Sequence, residues 1–339
     1  MSTMTSVPGS LARARDVVHP AMVAAVERLN PELARIAAYH LGWCDEHGAP
    51  SARAGGKGVR PALAVLSAEA AGADATAGVP GAVAVELVHN FSLLHDDVID
   101  GDRERRHRPT VWALYGVGPA VLAGDALLTL GHQVLLEQGR TGATASAELS
   151  DAVAAMIGGQ ADDMAFEGRS DVTRDECLGM VAGKTGALLS CAAAIGSVLV
   201  GAPAPVVAAL RCYGAHLGVA FQAVDDILGI WGDPERTGKP RGNDLSTRKK
   251  SLPVVFALGA DDRDRAGELR RLLLNGPLDH GAVSRATELV EACGARQATE
   301  ALAREHLDAA CRALEGPGLA ATACAELADL ARFVVEREF

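Results

Sequence analysis

"LSDAVAAMIGGQADDM", Leu149 to Met164, sets the fold class. Its apolar residues recur at 149, 153, 156, 157 and 164, the stripe of a helix with one face toward a core. Strand-like alternation is scarce in the rest of the chain, and Ala, Leu and Glu are abundant. Breaks fall at short Gly/Pro clusters: "HGAPSARAGGKG", "AGADATAGVPG", "EQGRTGATAS", "GAPAP", "GDPERTGKPRGND", "NGPLDHG" and "EGPG". Such clusters predict about a dozen helices joined by short connections. No alternation of strand and helix patterns appears, so a doubly wound sheet is excluded and an all-α fold is expected. The 339 residues show no long linker and no fixed-period repeat. One domain over 1–339 is therefore expected, with 1–15 as a flexible N-terminus.

The chain is 49% hydrophobic, enough for a large core. Its net charge of −11 argues against nucleic acid, since phosphate backbones need a basic face. Seven scattered cysteines, an odd count without a CxxC pair, read as reduced thiols of a cytoplasmic protein. The start, "MSTMTSVPGSLARARD", has no apolar signal core. Thr185 to Leu210 carries no charged residue and approaches the ~20 residues of a bilayer crossing. Pro203 and Pro205 interrupt it, so a buried helix and no transmembrane segment is the expectation. "DDRDRAGELRR" reads as a solvated helix face.

Chemistry concentrates in "LLHDDVIDGDRERRHRPT", Leu93 to Thr110, where acids are followed by bases instead of mixing with them. His89, Ser92, Asp96 and Asp100 share a helix face, with Asp97 beside them. Carboxylates one turn apart repel unless a cation arrives. Hard oxygens at this spacing suit Mg²⁺, held by a few carboxylates plus substrate phosphates. "FQAVDDILGIWGDPERTGKP" sets Asp225 and Asp226 in a second apolar helical context. Two such faces turned together would hold a diphosphate through bridging metals. Cations accompany the acids: Lys57 and Arg60 in "GGKGVRP", Arg105 and Arg106, Lys184 in "GKTG", Lys239 in "TGKP", and Lys249 in "RKKSLP". A nucleotide P-loop is excluded, because Leu178 stands where its first glycine belongs.

The blocks "GGKGVRP", "ELVHNFSLLHDDVIDGDRERRHRPT", "GDALL", "GGQADD", "GKTGAL", "FQAVDDILG" and "GKPRGNDLSTRKKSLP" occur in an order that resembles the trans-isoprenyl diphosphate synthases, the polyprenyl synthetase family. The resemblance covers roughly residues 50 to 255. It implies an isoprenoid-synthase-type helical bundle around a central deep cavity, with the acidic motifs facing each other at its mouth. It implies that Asp96 and Asp100 bind two Mg²⁺ and Asp225 a third, with Asp97 and Asp226 completing the catalytic acids. Arg105, Lys184 and Lys239 would hold the allylic diphosphate, and Lys249 would add to the substrate-binding cations. Lys57, Arg60, His89 and Arg106 would hold isopentenyl diphosphate. Thr185 and Gln222 would line the site near the reacting carbons. The implied reaction is ionisation of the allylic diphosphate, attack by the double bond of isopentenyl diphosphate, and loss of a proton. A homodimer is expected.

One position departs from the family. Gly229 stands where the second motif usually carries its last acid, and Gly229→Asp is expected to be tolerated. A class I terpene cyclase on the same fold would need no site for isopentenyl diphosphate, so the full set Lys57, Arg60, His89 and Arg106 favours the transferase. A non-catalytic subunit of a heteromeric synthase would lose acidic motifs, and the first motif is complete. Product length turns on Phe91 and Ser92. Phe91 lies five positions before Asp96, roughly 7.5 Å along a helix. In the family an aromatic here beside a small residue goes with termination near C20, so geranylgeranyl diphosphate is expected, with C15 and then C25 as its competitors. Val88 and Val85 are the next candidates for the cavity floor.

Overall fold

The computed structural model describes residues 8–51, 56, 58–234, 241–274, 278–316 and 318–336. Lys57 and Lys239 lie outside these described residues. Helices carry the fold, as the periodicity predicts. In chain order they are α1 (Gly9–Val26), α2 (Pro31–His40), α3 (Val59–Ala70), α4 (Val79–Ile99), α5 (Val111–Tyr115), α6 (Val117–Leu136), α7 (Gly139–Glu167) and α8 (Arg174–Val181). A π-helical turn, Ala182–Gly186, leads into α9 (Ala187–Leu199). Then follow α10 (Ala204–Trp231), α11 (Asn243–Ser246), α12 (Leu252–Leu258), α13 (Arg263–Leu274), α14 (His280–Ala292), α15 (Ala295–Ala313) and α16 (Ala321–Glu336).

Local signals explain the boundaries. The Asn30 side chain accepts from Glu32 N and Pro31 opens α2, since proline forfeits an amide that has no helical partner there. Thr173 and Glu176 form a reciprocal capping box at the start of α8. Helix α1 already begins at Gly9 and buries Leu11 and Ala14. Residues 9–15 therefore belong to the bundle, a correction to the flexible arm expected over 1–15.

The centre is formed by α3, α4, α9 and α10. Every residue from Pro61 to Ala68 of α3, and from Cys191 to Val198 of α9, is buried. Their small side chains let backbones come close: a β-carbon on Gly196 would lie 2.2 Å from the Ala64 carbonyl. The uncharged run from Thr185 to Leu210 is thus α9 and the start of α10, parted after Leu199. Four described segments have the length and composition to cross a membrane: Ala75–Ile99, Val117–Leu136, Arg174–Leu199 and Ala204–Trp231. In the bundle each segment turns leucines into the core, and Leu87, Leu127, Leu189 and Leu217 are at most 1% exposed. A second, smaller core past the end of α10 joins Ile230 and Leu245 to Leu269, Leu289 and Val290.

One element departs from the helical reading. Glu104–Arg105 and Arg108–Pro109 pair as a short antiparallel hairpin directly after the first acidic motif. Its two turn residues, Arg106 (φ 53°) and His107 (φ 58°), are both left-handed. Non-glycine residues adopt this conformation at a cost of about 1 kcal/mol each.

Candidate active site

The acids come from the C-terminal ends of α4 and α10. Asp96 is half-buried, and Asp100, the C-cap of α4, is exposed. Asp97 points elsewhere. It is 2% exposed, and its Oδ1 accepts from Arg105 Nε and pairs with Nη2, both at 2.8 Å. The second pair repeats this division. Asp225 is exposed, whereas Asp226 is 2% exposed and accepts from Gln222 Nε2 (2.7 Å) and from Leu252 N (2.8 Å). A helix turns about 100° per residue, so neighbouring acids cannot share one face. Each Asp–Asp pair therefore has one carboxylate open to the site and one tied into the scaffold.

Burial pushes the Asp96 carboxyl up to about 6, with Asp100 and Asp97 adding to the shift while Lys184 and Arg105 oppose it. Burial likewise pushes Asp226 up to about 7; Lys249 opposes this and Asp244 adds to it. In both carboxyls burial is the first cause, and neighbouring acids add to it. Among the described residues no three His, Cys, Asp or Glu side chains gather in a cage for a metal ion. The open carboxylates of Asp96, Asp100 and Asp225 are hard oxygen donors of the kind that suits Mg²⁺, which keeps its waters and takes one or two carboxylates plus phosphate oxygens. These three are the carboxylates that could hold it.

The cations stand around these acids. Lys184 rises from the π-helical turn and donates to Asp163 Oδ2 of α7 at 2.5 Å. Burial alone would lower the Lys249 ammonium, but Asp244, Asp226, Asp163 and Asp225 outweigh it and hold the group firmly charged. Arg60 Nη1 lies 3.3 Å from His89 Nε2. Burial, and then Arg60, Arg106 and Arg105, drive His89 well below its usual value, so the ring is neutral and Nε2 accepts from Arg60. Arg106, at the hairpin tip, reaches back to the glycine-rich segment, where a β-carbon on Gly56 would lie 2.8 Å from its Nη2. It forms part of two adjoining pockets. One is lined by Arg15, His19, Glu86 and Asn90, the other by His40, Asp97, Arg105 and Arg108. The structure thus brings Arg60, His89 and Arg106 together on the side of Glu86, and Lys184 and Lys249 on the side of Asp163.

A hydrogen-bond relay ties the π-helical turn to α10. Thr185 Oγ1 donates to Gln222 Oε1 at 2.6 Å, Gln222 Nε2 donates to Asp226, and Asp226 holds Leu252 N. Deeper along α4, Phe91 is 6% exposed and meets His95 edge-on, with ring centroids 4.8 Å apart. Ser92 is half-buried and donates to the His89 carbonyl.

Comparison with known proteins decides what this constellation belongs to. The family described as Polyprenyl synthetase matches residues 42–290. The chain belongs to the polyprenyl synthetase family. It is 46% identical to a (2E,6E)-farnesyl diphosphate synthase of Mycobacterium tuberculosis over 333 residues, covering 97% of this chain and 92% of the relative. It is 42% identical to a geranylgeranyl diphosphate synthase of the same organism, covering 98% and 96% of the two chains. The crystal structure of a polyprenyl synthetase from Streptomyces coelicolor superposes with a TM-score of 0.91 at 47% identity, covering 98% of this chain and all of that one. The protein is a trans-prenyltransferase with the all-α isoprenoid synthase fold.

Several members of the site were missed in the sequence. Asp163 lies inside the quoted block "GGQADD", and its pairing with Lys184 gives that block a reason. Asp244 lies in "GKPRGNDLSTRKKSLP" and faces Gly229. Glu86 and His40 looked like ordinary helix residues, because only folding sets them against the arginines. A β-carbon at 229 would lie 2.3 Å from Asp244 Oδ2, the movable end of a side chain, so the expected tolerance of Gly229→Asp requires that carboxylate to turn aside.

Proposed function

We propose that this prenyltransferase is Mg²⁺-dependent and condenses isopentenyl diphosphate with allylic diphosphates, ending mainly at C20. The observation that carries the two-substrate reading is the separation of two cationic groups. Arg60 and Arg106, with the neutral His89 bound to Arg60, form one, and Lys184 with Lys249 the other. A cyclase acting on one diphosphate has no use for the first group.

Bound Mg²⁺ would supply positive charge to the diphosphate leaving group. Lys184 and Lys249 supply more from the protein side, at the oxygens where charge develops. The relay through Gln222 and Asp226 orients the Thr185 hydroxyl so that its oxygen lone pairs, not its proton, remain available to a cationic carbon. His89 stays neutral and orients Arg60 toward the second diphosphate. The apolar walls of α4, α6 and α9 exclude water that would quench the cation. Chain growth would end where the hydrocarbon meets Phe91, and the small Ser92 leaves room for C20.

The test offers isopentenyl diphosphate with C5, C10 and C15 allylic partners and Mg²⁺, then sizes the dephosphorylated products. C20 as the main product supports the full reading. C15 would keep the activity and overturn the assigned length. Products that form without isopentenyl diphosphate would point to a cyclase.

A further inference from the structure

His216 of α10 and His306 of α15 meet away from the acids: His216 lies nine residues before Asp225, about 13 Å along the helix. Their Nδ1 atoms stand 3.0 Å apart and their ring centroids 4.9 Å apart, with the planes tilted by 55°. The rings thus meet by their nitrogen edges and do not stack. Both are half-buried. Their neighbours, Tyr213 and Leu217 on α10 and Leu302 and Leu307 on α15, lie in the core. Tyr213 Oη also donates to the Leu327 carbonyl of α16 at 2.8 Å. The spacing of the two imidazoles is therefore set by the packing of their helices. Burial, and then His216, lower the His306 ring against the opposing pull of Glu305, so it is neutral at about pH 7 and keeps a lone pair.

We propose that His216 and His306 form a two-imidazole site for a borderline divalent cation of the Ni²⁺ and Zn²⁺ class, separate from the carboxylates that open to the active site. Two nitrogens about 2.1 Å from one ion lie about 3.0 Å apart at a right angle and about 3.4 Å apart at the tetrahedral angle. The observed 3.0 Å already has that bite. Two neutral rings joined Nδ1 to Nδ1 share one proton, and the ion takes its place. The proton leaves Nδ1 for solvent, Nε2 of the same ring takes one up, and both Nδ1 lone pairs turn to the metal, with no net release from neutral rings. Among the described residues no third His, Cys, Asp or Glu completes the set, so waters fill the remaining positions. An all-nitrogen pair suits metals that prefer imidazole over Mg²⁺, which prefers oxygen. The bound ion pins the middle of α10 to α15.

The test titrates untagged, full-length protein with Ni²⁺ in a calorimeter, with Mg²⁺ in excess to occupy carboxylate sites. The wild type should bind one equivalent and melt at a higher temperature when loaded. His216→Gln and His306→Gln should each weaken Ni²⁺ binding by about tenfold or more, the scale of one lost ligand, while prenyl transfer in Mg²⁺ alone stays at the wild-type level. Cys212, exposed one turn before His216, is the competing thiol, and Cys212→Ser should leave binding unchanged. Wild-type affinity in both glutamine variants would overturn the inference, as would loss of binding in Cys212→Ser. A wild type that takes up no Ni²⁺ would overturn it without any variant. If the glutamine variants do not fold, electron paramagnetic resonance of the Cu²⁺-loaded wild type decides: coupling to two imidazole nitrogens supports the site, and coupling to fewer overturns it.

Discussion

His40 illustrates what a single residue contributes. Its Nε2 is buried and finds no hydrogen-bond partner among the described residues. Burial, and then the charges of Arg105, Arg106 and Arg108, push the ring down to about 3. The unfolded chain binds this proton below its ordinary value of 6.5, and the folded protein does not until about 3. Between those values the unfolded state holds more protons, so stability is lost as pH falls through 6.5. One such group costs about 1 kcal/mol on going from pH 7.5 to 5.5. His40→Asn should therefore show a smaller fall in melting temperature over that interval than wild type. Asp96, raised to about 6, works in the opposite direction in both proteins and cancels in the comparison. Equal falls would show that His40 is protonated in the fold. The open acids carry a different expectation. Asp96→Ala or Asp225→Ala should lower turnover by orders of magnitude with helical content intact, and near-normal turnover of Asp225→Ala would rule out a metal role there. The sequence could mark these acids by their spacing. It could not show that Asp97 and Asp226 turn inward, because that depends on where Arg105 and Leu252 arrive.

At the scale of elements, α4 carries both the acids and the residues that would limit product length. Phe91 is a core residue as well as the candidate floor, and replacing such a side chain with alanine typically costs about 3–5 kcal/mol. Phe91→Ala should lower the melting temperature and also lengthen the product, whereas Ser92→Phe should shorten it. Chromatography of the dephosphorylated products reads both. If Phe91→Ala melts earlier with an unchanged product, Phe91 is core only and the floor lies toward Val88. The hairpin after α4 invites a second test. Its turn holds Arg106 and His107 in left-handed backbone, and the Asp97–Arg105 ion pair fastens it to the core. Asp97→Asn should loosen the hairpin and raise KM for isopentenyl diphosphate more than for the allylic substrate, since Arg106 moves with it. Equal changes in both constants would separate the hairpin from that subsite. Nothing in "DRERRHRPT" alternates like a strand, so the hairpin was not legible in the sequence. It owes its existence to tertiary anchors at Asp97, Tyr39 and Cys44, the last two through carbonyls that accept from Arg108.

Across the whole molecule, helical periodicity sufficed for the fold because nearly every element is an amphipathic or buried helix. The Gly/Pro clusters marked the connections for the same reason. Surfaces are less legible, since an apolar helix face looks alike whether its cover comes from the same chain or from another. Of the eight strongly exposed large apolar side chains among the described residues, four lie on α5 and α6: Leu114, Val117, Leu122 and Leu136, at 39–59% exposure. On α6 the exposed positions 118, 122, 125, 129, 133 and 136 step along one face, opposite the buried Leu127 and Leu130. A second copy of the chain is the occupant we propose, because a two-fold axis would lay this stripe against itself and cover both with one contact. The stripe already carries Asp125, so a second carboxylate one turn away at 122 would add like charge that the contact must desolvate. Leu122, the most exposed of the four, is the position to test. The wild-type protein should scatter light at twice the chain mass, and Leu122→Glu should shift it to the monomer while its helical content remains. A Leu122→Glu protein that stays dimeric would move the interface to another face. A monomeric wild type would leave α6 facing solvent and remove the homodimer from the account.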